Sequence, residues 1–163
     1  MTHRLAIQGY CPGAIGRIVE LHGTYYAQQW GFGVFFEAKV AAELGQFLAQ
    51  FDPKLDGFWI AQCCGDVVGS IAIAADKDPP GSARLRWFIV SPEHQCLGIG
   101  HQLMSAAMAF CRSAGHRRAY LTTFAGLDAA RRLYEQHGFA LQQQQRGTHW
   151  GNEVDEQLFV AEM

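Results

Sequence analysis

Val90-Ser91-Pro92-Glu93-His94-Gln95-Cys96-Leu97-Gly98-Ile99-Gly100-His101-Gln102-Leu103-Met104 reads as a strand end, a glycine-containing loop and the opening of an amphipathic helix. Ala83 to Val90 (ARLRWFIV) is rich in β-formers, and Ser91-Pro92 stops it. From Gly98 onward Ile99, Leu103, Ala107, Phe110 and Ala114 recur at helical spacing, and Gly115 is a fitting stop. A loop that opens a helix in this way points several backbone N–H groups at one spot, beside the positive end of the helix dipole. An anion, above all a pyrophosphate, is its natural occupant. Glycines at 98 and 100 let a bulky phosphate approach where a Cβ would collide. The stretch lacks the third glycine of the dinucleotide fingerprint, and no Gly-Lys-Ser/Thr follows, so both of those phosphate motifs are excluded.

The flanking sequence supplies the scaffold. Upstream lie a short strand (Arg4 to Gln8), a helix opened by Pro12 and carrying Ile15, Ile18, Val19 and, as a further candidate, Tyr25, and a second helix from Val34 to Ala49. The intervening YYAQQWGFG predicts a shaped loop, and Asp52-Pro53 closes the helical part. Strands follow at Phe58–Gln62 and Val67–Ala75, joined by a hairpin turn at Gly65-Asp66. Cys63 and Cys64 read as strand packing residues. Downstream come a strand at Tyr120–Thr123, a helix from Leu127 to His137, and strands at Leu141–Gln145 and Val154–Ala161. This order predicts an α/β (α+β) layered domain.

The 163 residues match the usual size of one domain and bury a self-sufficient core. Thirteen Lys and Arg against fifteen Asp and Glu leave a net charge of −2, which offers no basic excess for nucleic acid. The five cysteines lack the spacing of a four-ligand zinc site. With MTHRLAIQGY at the start, they predict reduced thiols and a cytoplasmic location. No window reaches the ~18–20 apolar residues of a membrane helix.

Gln95-x-x-Gly98-x-Gly100 after a strand resembles the pyrophosphate loop of the GCN5-related N-acetyltransferase (GNAT) superfamily. Leu133-Tyr134-Glu135-Gln136-His137-Gly138-Phe139 fits the superfamily's Leu-Tyr-x-x-x-Gly-Phe, and the element order agrees over nearly the whole chain. His22-Gly23, Phe51-Asp52-Pro53, Ala129-Ala130-Arg131 and the ending from His149 to Gln157 resemble GNAT domains fused to winged-helix transcriptional regulators. The resemblance implies a mixed, mostly antiparallel sheet of about seven strands flanked by about four helices, as one N-acetyltransferase domain over residues 1–163. It implies acetyl-CoA as co-substrate, no metal, and a small-molecule or protein amine as acceptor, with no nucleic-acid or membrane partner. A homodimer is the assembly it suggests. The pantetheine arm would pair with main-chain groups of Phe88, Ile89 and Val90. The diphosphate would take N–H groups of Gln95, Cys96, Leu97, Gly98, Ile99, Gly100 and His101. Many relatives carry an Asn seven residues before the tyrosine; this chain has Leu127 there.

The implied reaction is attack of an amine on the acetyl thioester, with Tyr134 as partner of the departing thiolate. A lysine-like amine of pKa about 10.4 must lose a proton first, at a cost of about 4.6 kcal/mol at pH 7. Glu20, His22, Glu37 and His149 are the candidate bases, because their segments flank the acceptor side in relatives. Cys96 has no base beside it in sequence and reads as a spacer whose backbone binds. Arg84 and Arg86 share one strand face, which lines either the cleft or an exposed edge. The other class of function compatible with the loop is a non-catalytic acyl-CoA sensor, which needs no proton-handling groups.

Overall fold

A computed structural model describes residues 4–163. The elements are β1 (Leu5–Gln8), α1 (Ala14–Trp30), α2 (Val34–Ala49), β2 (Gly57–Cys63), β3 (Asp66–Ala75), β4 (Ser82–Val90), α3 (Ile99–Ser113), β5 (Arg118–Phe124), α4 (Asp128–Gln136), β6 (Ala140–Gly147) and β7 (Val154–Glu162). They build a seven-stranded sheet in the order β1-β2-β3-β4-β5-β7-β6, with every pairing antiparallel except β4–β5. The expected fold class, strand number and helix number all hold.

The sheet is covered on both faces. On one, α3 sets Leu103, Met104 and Met108 against Ile71, Ile73, Leu121 and Phe159, all essentially sealed from water. A fully buried side chain of that size contributes about 1.5–3 kcal/mol, so this layer anchors the helix that follows the loop. On the other, α1 and α2 set Ile18, Phe36, Val40 and Leu44 against Phe58, Ile60 and Trp87. No helix among the described residues is long and apolar enough to cross a membrane.

Three local expectations are corrected. Tyr25 to Trp30 is not a loop but the last turns of α1. Tyr26 packs against Phe32, Phe36 and Phe124, and the helix ends where Gly31 takes a left-handed φ of 69°. The hairpin turn is Cys64-Gly65, one residue earlier than expected, since Cys63 pairs with Asp66 and both turn residues have positive φ. Consequently Cys63 is only half-buried and Cys64 is exposed, so neither is a core residue.

The decisive irregularity lies in β4. Ser70 pairs with Ile89 but Ala72 pairs with Arg86, so two residues of β4, Trp87 and Phe88, stand opposite the single Ile71, one more than a regular ladder allows. Trp87 takes φ 48° there, and its carbonyl accepts the Ser70 hydroxyl at 2.6 Å. The bulge shifts the in–out alternation by one. Ala83 and Leu85 face the α3 side, Trp87 joins the α1–α2 side, and Phe88 and Val90 return to the α3 side. β4 has already parted from β5 before the bulge, for their pairing stops at Arg84↔Tyr120. A V-shaped opening results between two parallel strands.

Candidate active site

The opening continues into a cleft of about 640 Å³. Nine of the ten residues assigned to the co-substrate line it; Leu97 does not, and its side chain stands in solvent. Each wall has a local cause. After β4, Ser91 donates its N–H to the Val68 carbonyl at 2.7 Å. Backbone polarity alternates along a strand, so the N–H and C=O of Phe88 and Val90 point to the open edge. There the Val90 carbonyl already accepts the Gln95 side-chain amide at 3.2 Å. A short 3₁₀ turn, Pro92–His94, then lifts the chain over the helix start.

From Cys96 the backbone reverses through two left-handed residues, Cys96 (φ 64°) and Gly98 (φ 80°), before α3 begins. The N–H of Gln95 reaches the Pro92 carbonyl at 3.5 Å, so that amide is turned inward, contrary to expectation. The N–H groups of residues 96–101 meet no backbone or side-chain acceptor among the described residues. Six unengaged donors thus cluster at the N-terminus of a fifteen-residue helix, an arrangement whose electrostatics suit an anion.

The two glycines have different reasons. Gly98 is demanded by its φ, with open space where a Cβ would stand. At Gly100 a Cβ would lie 3.1 Å from Leu133 Cδ2 and 3.3 Å from a Phe88 ring carbon, so this glycine lets α3 approach α4 and β4. Packing of the cleft wall is thus a reason for this glycine that the sequence did not show. Leu127 caps α4 without a side-chain hydrogen bond and contributes an apolar wall. His101 turns its ring to His137, 3.1 Å between ring nitrogens, leaving its amide free.

Tyr134 stands where this cleft meets a smaller cavity of about 110 Å³ on the α1–α2 side, and it lines both. Its ring is wedged among Phe88, Phe139 and Phe159. Burial pushes the phenol well above its usual pKa, so it stays protonated and is available as a donor.

The candidate bases separate into two pairs. Glu20 is exposed and paired to Arg17 at 3.1 Å, Glu37 is exposed, and neither lines the inner cavity. His22 and His149 do line it. His22 is buried, with Nδ1 2.8 Å from the Ile18 carbonyl; a carbonyl only accepts, which puts the hydrogen on Nδ1 and the lone pair on Nε2. Burial lowers its pKa to about 4, against the opposing effect of that hydrogen bond. His149 is exposed at the rim against Trp150.

Arg84 and Arg86 line the smaller inner cavity rather than the cleft itself, so their strand face is not a bare exposed edge. The residue missed is Glu43, half-buried on α2, which accepts from Lys39 at 2.6 Å and from Arg86 in a short ion pair. Burial pushes its carboxyl upward, but the hydrogen bonds from Lys39 and Arg86 prevail and hold it below its ordinary pKa. Only the Lys39/Glu43 spacing of four hinted at it. Arg86 also lies over the Trp87 ring at 4.2 Å, a contact that exists because the bulge puts both on one face.

Comparison with known proteins agrees with this geometry. The family model of the acetyltransferase (GNAT) family matches residues 17–139. N-acetyltransferase 8 of Mus musculus is 37% identical over 86 residues, covering 51% of this chain and 38% of that protein. The chain thus spans well under half the length of that curated relative. A GNAT-family acetyltransferase from Staphylococcus aureus Mu50 superposes with a TM-score of 0.77 at 16% identity, covering 98% of this chain and 99% of that one. An acetyltransferase of Salmonella typhimurium, solved with its cofactor acetyl-CoA, gives 0.74 at 15% identity over 97% and 93% of the two chains. Likeness at that identity concerns the fold; the family match rests on sequence, and by it the chain belongs to the acetyltransferase (GNAT) family.

Proposed function

We propose that this chain is an acyl-CoA-dependent N-acyltransferase that transfers acetyl from acetyl-CoA to a primary amine by direct attack in a ternary complex. The observation that carries the reading is the run of unengaged N–H donors at residues 96–101, opening into a cleft that ends at Tyr134. Bound there, acetyl-CoA would supply an activated thioester, whose carbonyl carbon accepts the amine nitrogen as the C–S bond breaks. The chain's own groups do the rest. The amides of residues 96–101 hold the diphosphate, and the open-edge groups of Phe88 and Val90 hold the arm. The Val90 N–H is placed to polarise the thioester carbonyl.

Tyr134 donates a hydrogen bond to the leaving sulfur. Full proton transfer from an ordinary phenol (pKa about 10) to a thiolate (pKa about 8.5) costs roughly 2 kcal/mol in water, and burial raises this further. Donation without complete transfer is therefore the cheaper course. The proton released by the amine leaves through water, with Nε2 of His22 as a buried acceptor lining the inner cavity. The likeness to domains fused to regulators rests on the short motifs alone and adds nothing to this chemistry.

The test is thiol release from acetyl-CoA across an amine library, beside calorimetry of CoA binding. Turnover with any amine supports the enzyme. Binding without turnover turns the reading to the sensor, and no binding at millimolar CoA removes both.

A further inference from the structure

Three cations line the inner cavity, Lys39, Arg84 and Arg86, against one carboxylate, Glu43, in a chain whose net charge is −2. The local sign is opposite to the global one. Lys39 and Arg86 converge on Glu43 and neutralise it. Arg84 has no ion-pair partner among the described residues. Its Nη2 donates to Thr122 Oγ1 at 2.7 Å, its Nε is buried without an acceptor, and its Nη1 has none either. The neighbouring carboxylates are engaged elsewhere: Asp76 accepts the Tyr120 hydroxyl at 3.0 Å, and Glu156 accepts the His149 N–H at 2.8 Å.

A half-buried guanidinium clamped on one side by a hydroxyl is costly to keep without a counter-anion, and its planar fork matches a carboxylate. Arg84, Thr122, His149 and Trp150 line both the inner cavity and an outer one of about 300 Å³, so the cation stands on the boundary between them. At about 110 Å³ the inner cavity admits only a small head group beside Tyr134.

We infer that the acceptor is a primary amine that also carries a carboxylate: the amine enters the inner cavity toward Tyr134, the carboxylate pairs with the free edge of Arg84, and the remainder lies in the outer cavity. This deepens the acyltransferase reading and rests on it. Polyamines are disfavoured on the same ground, since a second ammonium would meet Arg84 and Arg86.

Two measurements test it. In the thiol-release assay, L-amino acids are compared with their carboxamides and with spermidine. A free acid should exceed its carboxamide at least ten-fold in kcat/KM, and Arg84→Gln should bring that ratio near one. A preference for carboxamides or spermidine overturns the inference while leaving the acyltransferase intact. Separately, N-acetylglycine and N-acetyl-L-phenylalanine, each against its carboxamide, are titrated calorimetrically into the CoA-loaded protein. Tighter binding of an acid, lost at least ten-fold in Arg84→Gln with CoA affinity and melting temperature retained, supports the site even if no amine turns over. Equal binding, or no heat from either acid, overturns it.

Discussion

At Tyr134 burial and function pull the same way. The ring is core and the residue borders two cavities, so Tyr134→Phe removes the hydroxyl donor and keeps the packing. Loss of a proton-handling group of this kind typically lowers turnover ~10²-fold or more. We expect that loss in kcat with CoA affinity within two-fold; equal losses in both would show that the hydroxyl holds the co-substrate instead. His22 makes a different prediction. Its folded pKa of about 4 lies below the usual 6.5, so the unfolded chain binds the extra proton first as pH falls. Above pH 6.5 this residue adds no pH dependence; between about 6.5 and 4 it destabilises the fold, by an amount on the order of 3 kcal/mol. Denaturant unfolding of the wild type and His22→Gln at pH 7.5 and 5 should show a smaller acid loss in the variant; parallel losses would contradict burial as the cause. Tyr134 and the loop were legible in sequence because each sits in a short, dense motif. The Glu43–Arg86 pair was not, for it joins α2 to β4 across 43 residues and depends on where a bulge turns the strand.

At the scale of elements, the loop is defined by backbone conformation more than by side chains. Gly98 has φ 80° and free space at its Cβ position, so Gly98→Ala introduces strain without a clash. The left-handed conformation costs an L-residue about 1–2 kcal/mol. The expected outcome is a loss of stability of that order, with CoA affinity falling at least ten-fold as the amides lose their common aim. Unchanged calorimetric affinity would mean that the cradle does not bind the diphosphate. Gly100→Leu should instead loosen α3 from Leu133 and Phe88, and its first effect belongs in the melting temperature. Periodicity located α2, α3, β3 and β7 well, because each has a continuous apolar face. It failed at residues 25–30, where aromatic and glycine content mimicked a loop. There the packing of Tyr26 on Phe32, Phe36 and Phe124 carries the helix on to Gly31. It failed also at the β4 bulge, whose Trp87 has a positive φ that no residue preference announces.

Across the whole molecule the sheet is two blocks joined at one narrow seam. β5 and β7 are held by seven residue pairs, whereas β4 and β5 share only three, in the weaker parallel arrangement. The split that makes the cleft is therefore also the soft joint of the fold, and a ligand lying in it touches both sides: Val90 and the loop on one, α4 and Tyr134 on the other. Binding to the folded state alone should stabilise by about 2.7 kcal/mol at one hundred times the dissociation constant. For a chain of this size that corresponds to a rise of about 5–11 °C in melting temperature. Hydrogen exchange then says where the stabilisation acts. In the free protein the amides of residues 96–101 have no acceptor among the described residues and should exchange fast, while those of Met104 and Met108, inside α3 and sealed from water, should be slow. Saturating CoA should slow the loop amides by at least ten-fold and leave Met104 and Met108 nearly unchanged. A thermal shift without protection at residues 96–101 would place the ligand elsewhere on the chain, and the anion cradle would lose its assigned occupant.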